Sequence, residues 1–201
     1  MSRALQISTL VSLIALAVYW WGTDGFRAFT AEAARRERVL RDPRPLPSVT
    51  LEDQDGRRFG FEDYRGRLVA VEFIYTRCET ICRSLGTAFR RIRDHVPAER
   101  LGEDFALLTV SFDPRDDRTA LQRYARTHGA DGTHWRIARV VNAAAIRALL
   151  DAFGVIALPD GLGGYEHNAA IHLLDRDGRL VRIGDIEEEP RDFIVIAGLA
   201  P

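Results

Sequence analysis

The chain has 201 residues, a length typical of one domain with a short extension, and a domain of that size buries its own core without disulfide bonds. Its formal net charge of -1 provides no broad basic surface, so we expect no nucleic-acid partner. The chain has two cysteines, and neither is needed to hold a fold of this size together.

The first predicted element is an apolar helix that is long enough to cross a membrane. Leu5 to Trp21 contains no charged residue and ends in aromatic side chains, which suit a membrane interface. A cleaved signal peptide is the alternative, because Ala15 to Ala17 resembles a cleavage site. Cleavage there leaves too short an apolar core before it, so we predict an uncleaved membrane anchor over residues 1–25.

The charges that flank this anchor bear on its orientation. Arg3 precedes the anchor and four arginines follow it, namely Arg27, Arg35, Arg36 and Arg38. The positive-inside rule places those four in the cytoplasm, which argues against an exported domain. The rule weakens for long translocated domains, so the charge pattern leaves the orientation open.

A juxtamembrane segment and a linker, residues 26–48, follow the anchor. Phe29 to Leu40 is rich in alanine and arginine and predicts a helix, and three prolines then break the pattern. We expect the folded domain to begin near Val49 and to occupy residues 49–201.

The folded region alternates predicted strands with predicted helices. "VTLEDQDGRRFGF" predicts an N-terminal hairpin around Asp55-Gly56, and "IHLLDRDGRLVRI" predicts another around Asp177-Gly178. Between them, the apolar runs "RLVAVEFIY" and "FALLTVSF" predict buried strands. The predicted helices are Ile81 to His95, Thr119 to His128, and Ala143 to Phe153. This alternation predicts an α/β sheet with parallel strands and crossover helices.

The two cysteines lie where the first buried strand passes into a helix. Ligands and reactive groups collect at the carboxyl ends of such strands. With Cys78 in the loop and Cys82 in the first helical turn, the pair can form a disulfide, bind a soft metal ion, or remain two unreactive buried thiols. The helix N-terminus, Arg77 and Arg83 favour the thiolate form, and Glu79 opposes it.

The histidines supply few obvious metal ligands. His95 and His128 close helical patterns, where histidine commonly meets the last carbonyl groups. His167 and His172 are five residues apart at the entry to a strand, so they face opposite sides and are not expected to bind the same ion. Spacing alone does not favour His167 as a ligand.

Three stretches together resemble the Sco/SenC family of thioredoxin-fold copper proteins. They are "VEFIYTRCETIC", "LLTVSFDPRDD" and "YEHNAAIHLLDRDGRLV", and the resemblance covers about Leu46 to Gly184. It implies a thioredoxin-like fold and one copper ion, as Cu(I) or Cu(II), bound by Cys78, Cys82 and His167. It also implies that the cysteines cycle between dithiol and disulfide.

The chemistry of these residues agrees with the resemblance. Two thiolates and an imidazole form a soft site that suits Cu(I), whereas structural zinc needs a fourth protein ligand. The resemblance also places Asp113 near the metal, where it would orient ligands or tune the redox potential. The alternative for Asp113 is an Asp-Pro turn that leads into the following helix.

The sequence departs from the family pattern at three positions. Glu79 and Arg83 stand where the family usually has proline after each cysteine, and Glu166 replaces the usual aspartate before the histidine. These changes alter the loop without removing a ligand. The segment "LPDGLGGYEH" is rich in glycine, so we expect the loop that carries His167 to move.

The resemblance implies a copper metallochaperone that assists assembly of the binuclear copper centre of cytochrome c oxidase. Its partner would be the copper-bearing oxidase subunit or another copper protein. It would be a single-pass protein of the inner membrane with its domain on the periplasmic side. The alternative is a membrane-anchored thiol:disulfide oxidoreductase in which Cys78 or Cys82 attacks a partner. A peroxidase is a weaker alternative, because it needs a peroxidatic cysteine in a peroxidase-type loop.

Overall fold

The structure is a computed structural model that describes residues 2–23, 25–26, 29–78 and 81–199, with only the backbone described for Ile81 and Arg83. The chain divides into two compact units, Met1–Asp42 and Pro43–Pro201.

The first unit contains two helices. Helix α1, Arg3–Gly22, has no buried residue and is long and apolar enough to cross a membrane. Helix α2, Ala31–Arg41, begins at Thr30, whose hydroxyl accepts a hydrogen bond from the backbone of Ala33. Both helices were predicted, and both are present close to their predicted bounds.

The second unit is built on an eight-stranded sheet with the order β1-β10-β9-β4-β5-β6-β2-β3. The strands are β1 Arg44–Pro45, β2 Leu51–Asp53, β3 Arg58–Phe59, β4 Leu68–Ile74, β5 Phe105–Ser111, β6 Trp135–Val140, β7 Ala157–Pro159, β8 Tyr165–His167, β9 Ile171–Leu174 and β10 Arg179–Gly184. The helices are α3 Ile81–His95, α4 Arg118–His128, α5 Ile146–Phe153 and α6 Pro190–Ile196, with short 3-10 turns at Phe61–Tyr64 and Ala143–Ala145. Strands β7 and β8 form a separate two-stranded hairpin.

The centre of the sheet is parallel. Strand β4 pairs in parallel with β5, and β5 pairs in parallel with β6. Every residue of β5 is buried, as is every residue of β4 after Leu68, which explains their continuous apolar sequences. Helices α3 and α4 make the two crossovers. The predicted α/β fold with parallel strands is therefore confirmed.

Several elements lie where the sequence analysis predicted none. They are β1, β6, the β7–β8 hairpin and α6. Strand β1 pairs with β10, so the sheet includes residues that the sequence analysis placed in the linker. The predicted helix from Ala143 begins as a 3-10 turn, and its α-helical part starts at Ile146. The N-terminal hairpin β2–β3 and the hairpin β9–β10 are both present as predicted.

The carboxyl ends of β4 and β5 meet at one edge of the sheet. The segment with the two cysteines follows β4, and the segment with Asp113 follows β5. Because neighbouring parallel strands end together, these two segments lie side by side. This edge is where the candidate site forms.

Candidate metal centre

The two cysteines lie at the start of α3 and are not joined in a disulfide. Cys78 is in the loop after β4 and is 8% exposed, whereas Cys82 is in the first turn of α3 and is 0% exposed. The backbone N–H of Cys82 donates to the sulfur of Cys78 at 3.3 Å. Solvent therefore reaches the first sulfur more readily than the second.

The surroundings of Cys82 favour the protonated thiol. A hydrogen bond with Cys78 and burial both raise the pKa of Cys82. The expected stabilisation of a thiolate at this position is therefore wrong. Arg77 does not neutralise a sulfur anion here, because its guanidinium pairs with the carboxylate of Asp113.

His167 reaches the cysteines from strand β8, at the end of the β7–β8 hairpin. Its Nε2 atom lies 3.6 Å from the sulfur of Cys82. The ligand atoms of Cys78, Cys82 and His167 all lie within 4.8 Å of one another. The structure thus brings together three residues that are up to 89 positions apart in the sequence, from 78 to 167.

The orientation of the imidazole suits a metal ligand. For Nε2 to offer a lone pair, the ring proton must be on Nδ1. Nδ1 of His167 is buried and has no hydrogen-bond partner among the residues that the structure describes. The ring therefore presents Nε2, and not Nδ1, to the two sulfurs.

The three donor atoms form a soft set for a metal ion. Two sulfurs and one imidazole nitrogen match the preferences of Cu(I), and the set lacks the fourth ligand typical of structural zinc. A metal ion that binds Cys82 must displace the thiol proton, so binding at this site is coupled to proton release. These residues fit copper.

Aromatic side chains pack against the imidazole of His167. The ring centroid of Phe112 lies 5.3 Å from that of His167, and the ring of Tyr75 lies 6.1 Å away. Tyr165, two residues before His167, packs against both rings at 5.3 Å. The sequence analysis gave these residues no role in the site, although Tyr75 and Phe112 are the last residues of the two predicted buried strands.

Asp113 lies in a tight turn just after β5, and its carboxylate forms ion pairs with two arginines. Its backbone carbonyl accepts from the backbone N–H of Asp116, as the turn interpretation predicts. Its fully buried carboxylate accepts hydrogen bonds from Arg115 and Arg77. Burial alone would raise the pKa of Asp113, but the hydrogen bonds from the two arginines outweigh it and lower that pKa.

A second carboxylate fixes the loop before Cys78. Asp116 accepts from the backbone and the hydroxyl of Thr76, at 2.8 and 2.7 Å, and from the hydroxyl of Ser111 at 2.5 Å. The sequence analysis missed Asp116. The motif "SFDPRDD" contains the signal, because an acidic residue just after a strand end can reach the neighbouring strand end.

The other histidines considered lie apart from this group. His95 donates to the carbonyl of Arg91 at 2.8 Å, which is the predicted helix-end role. His172 donates to the carbonyl of Val71 at 3.2 Å and is 1% exposed in the core. His167 and His172 therefore do not share a site, as predicted. Glu79 and the side chain of Arg83 lie outside the described residues.

A family model and a curated relative both relate this chain to one family. The SCO1/SenC family model matches residues 44–197. The SCO1 protein homolog of Bacillus subtilis is 25% identical over 150 residues, which cover 73% of this chain and 77% of that protein.

Solved structures show the same fold. ScoI of Bradyrhizobium japonicum, solved with copper bound, is 21% identical with a TM-score of 0.64, over 77% of this chain and 98% of that one. BsSco, described as a member of the Sco family of cytochrome c oxidase assembly proteins with a disulfide switch, is 23% identical with a TM-score of 0.67, over 79% of this chain and 95% of that one. These similarities confirm the predicted thioredoxin-like fold.

Proposed function

The chain belongs to the SCO1/SenC family, and on that premise we propose that it is a membrane-anchored protein that holds one copper ion between Cys78, Cys82 and His167. The observation that carries this proposal is the convergence of the three ligand atoms within 4.8 Å. The copper-bound structure of the Bradyrhizobium relative supports it.

We further propose that copper is a cargo that the protein passes on by ligand exchange. Cys78 is the more exposed of the two cysteines, so an incoming ligand from a partner replaces it first. Cys82 is fully buried and holds the ion while the exchange proceeds. Released ligands take up protons, which returns Cys82 to the thiol form that its surroundings favour.

The partner that we propose is the copper-bearing subunit of cytochrome c oxidase, with assembly of its binuclear copper centre as the cellular role. The description of BsSco as one of the oxidase assembly proteins supports this role. Helix α1 supports a membrane anchor, and we place the folded domain on the periplasmic side. A periplasmic reporter fused after Pro47 is expected to be active, and activity only of a cytoplasmic reporter would overturn this placement.

Thiol:disulfide exchange alone explains less of the geometry. It uses Cys78 and Cys82 but gives no role to an imidazole at 3.6 Å from the buried sulfur. Copper binding uses all three residues. The Cu(I) titration described next distinguishes copper binding from a function in thiol:disulfide exchange alone.

Anaerobic Cu(I) titration of the reduced full-length chain in mild detergent, against a competing chelator, tests the proposal. We expect one Cu(I) per chain, with loss of binding in Cys78→Ala and Cys82→Ala and an affinity that is at least about tenfold lower in His167→Ala. His95→Ala is the matched control, because this histidine binds only its own helix carbonyl in the described contacts. A His167→Ala protein that binds Cu(I) as tightly as the parent would leave thiol exchange as the better reading.

A further inference from the structure

The β7–β8 hairpin must be held in place for His167 to stay near the cysteines. The hairpin is separate from the main sheet, and its own pairing joins Ala157 to His167 and Pro159 to Tyr165. At its base, the side chain of Asn168 accepts from the backbone of Ile156 at 2.6 Å. These contacts fix the shape of the hairpin but not its position over the site.

Arg115 reaches the tip of this hairpin from the loop after β5. Its guanidinium donates to the carbonyl oxygen of Gly163 at 2.9 Å. The same group lies 5.7 Å from the ring centroid of Tyr165, which is within range of a cation–π contact. Arg115 therefore touches both the turn of the hairpin and the strand that carries His167.

Asp113 fixes the direction of this guanidinium. Nε of Arg115 donates to Oδ1 of Asp113 at 2.9 Å, and one terminal nitrogen donates to Oδ2, also at 2.9 Å. The backbone N–H of Arg115 adds a third bond to Oδ1 at 3.0 Å. A two-point contact with a fully buried carboxylate leaves the guanidinium little freedom to turn.

The same carboxylate also holds the cysteine loop. Arg77, the residue before Cys78, pairs with Oδ2 of the same Asp113 carboxylate. Arg77, Arg115 and Gly163 all line one cleft of about 430 Å³. Asp113 is thus the shared anchor of the two segments that carry the proposed ligands.

We propose that Arg115 is a positioning residue that holds the hairpin against the cysteine loop and so sets His167 at binding distance from Cys78 and Cys82. This inference rests on the proposed copper function. It assigns Arg115 a role toward the metal that acts through His167 and not through direct contact with the ion.

Only the planar fork of arginine meets all of these contacts together. The guanidinium pairs with two oxygens of Asp113, donates to Gly163 and lies over Tyr165 at the same time. The ammonium of a lysine is a single point charge and cannot reproduce this arrangement. Arg115→Lys is therefore expected to behave more like Arg115→Ala than like the parent.

Hydrogen–deuterium exchange of the metal-free, reduced full-length chain tests the positioning directly. In Arg115→Ala, we expect backbone amides of residues 157–167 to exchange about tenfold faster than in the parent. Arg147→Ala is the control, because this arginine is 87% exposed and pairs only with Asp151 among the described residues. Unchanged exchange in the hairpin overturns the inference, whatever the protein does with copper.

A double-mutant cycle with Cu(I) shows whether Arg115 acts through His167. We expect Arg115→Ala to lower the Cu(I) affinity about tenfold, and Arg115→Ala with His167→Ala to bind no more weakly than His167→Ala alone. Additive losses would contradict a role through His167. If the parent binds no Cu(I), the proposed function fails instead, and the exchange result still reports on the hairpin.

Discussion

Replacement of Glu72 by glutamine is expected to stabilise the protein at neutral pH. Glu72 lies in the central strand β4 and is 0% exposed. Its Oε1 atom accepts from the hydroxyl of Thr109 at 2.6 Å, and that hydroxyl accepts from Nε1 of Trp135 at 2.9 Å. Its Oε2 atom is buried without a partner in the described part of the chain. One hydrogen bond is too little to keep a buried carboxylate charged.

Burial raises the pKa of Glu72 from 4.5 to about 8, although the hydrogen bond from Thr109 lowers it. The folded protein therefore keeps the proton between these two values, while the unfolded chain loses it. Stability from this group is complete below pH 4.5 and is lost as pH rises toward about 8. At pH 7, about 2.5 pH units above the unfolded value, the loss is about 3 kcal/mol at about 1.4 kcal/mol per unit.

Denaturant unfolding of the reduced, metal-free chain from pH 5 to pH 8, followed by circular dichroism, measures this effect. Glutamine has the shape of the protonated acid and does not titrate, so the free-energy advantage of Glu72→Gln should grow with pH to about 3 kcal/mol at pH 7. Glu103→Gln, at an exposed position, is the control and should keep the pH dependence of the parent. A difference between Glu72→Gln and the parent that stays constant over this range would refute a protonated Glu72.

Two further predictions concern the cysteine helix. Because a hydrogen bond with Cys78 and burial raise the pKa of Cys82, Cu(I) binding should release protons and weaken as pH falls, by about tenfold per pH unit for each thiol proton displaced. Calorimetry in buffers of different ionisation enthalpy measures this release, and Cu(I) binding without proton release would contradict the protonated thiol. Gly86→Ala should cost about 2 kcal/mol in the free energy of unfolding, because the new Cβ would clash with the imidazole of the buried His128. Unchanged denaturant unfolding of Gly86→Ala would show that His128 moves aside freely.

The central fold could be predicted because its signals are local. Continuous apolar runs mark β4 and β5, and Asp-Gly turns mark two hairpins. Strand β1 consists of Arg44 and Pro45 alone, which are too few to form a sequence pattern, and its pairing partner β10 lies far away in the sequence. Strand β6 contains the half-buried Arg136 and Arg139, which interrupt the apolar sequence pattern of a strand whose other four residues are buried.

The candidate site could be predicted only in part, because its third residue comes from a distant segment. The position of Cys78 and Cys82 follows from a strand that passes into a helix. His167 has no such local signal, and only the resemblance to a family selected it. The glycine-rich segment before it forms a hairpin in which Asp160 accepts from the backbone of Leu162 and Gly164. Side-chain contacts of this kind leave no periodic pattern in a sequence.

The protonation of the cysteines bears on the choice between copper and thiol chemistry. A thiolate is the nucleophile in disulfide exchange, so a resolving cysteine with a raised pKa reacts slowly at neutral pH. Cu(I) avoids this difficulty, because the ion displaces the thiol proton and compensates for burial of the sulfur charge. The same buried position of Cys82 that slows exchange therefore suits a metal ligand, and His167 at 3.6 Å adds a donor that exchange does not need. The geometry and the protonation state favour copper for the same physical reason: a buried sulfur needs a cation beside it before it can lose its proton.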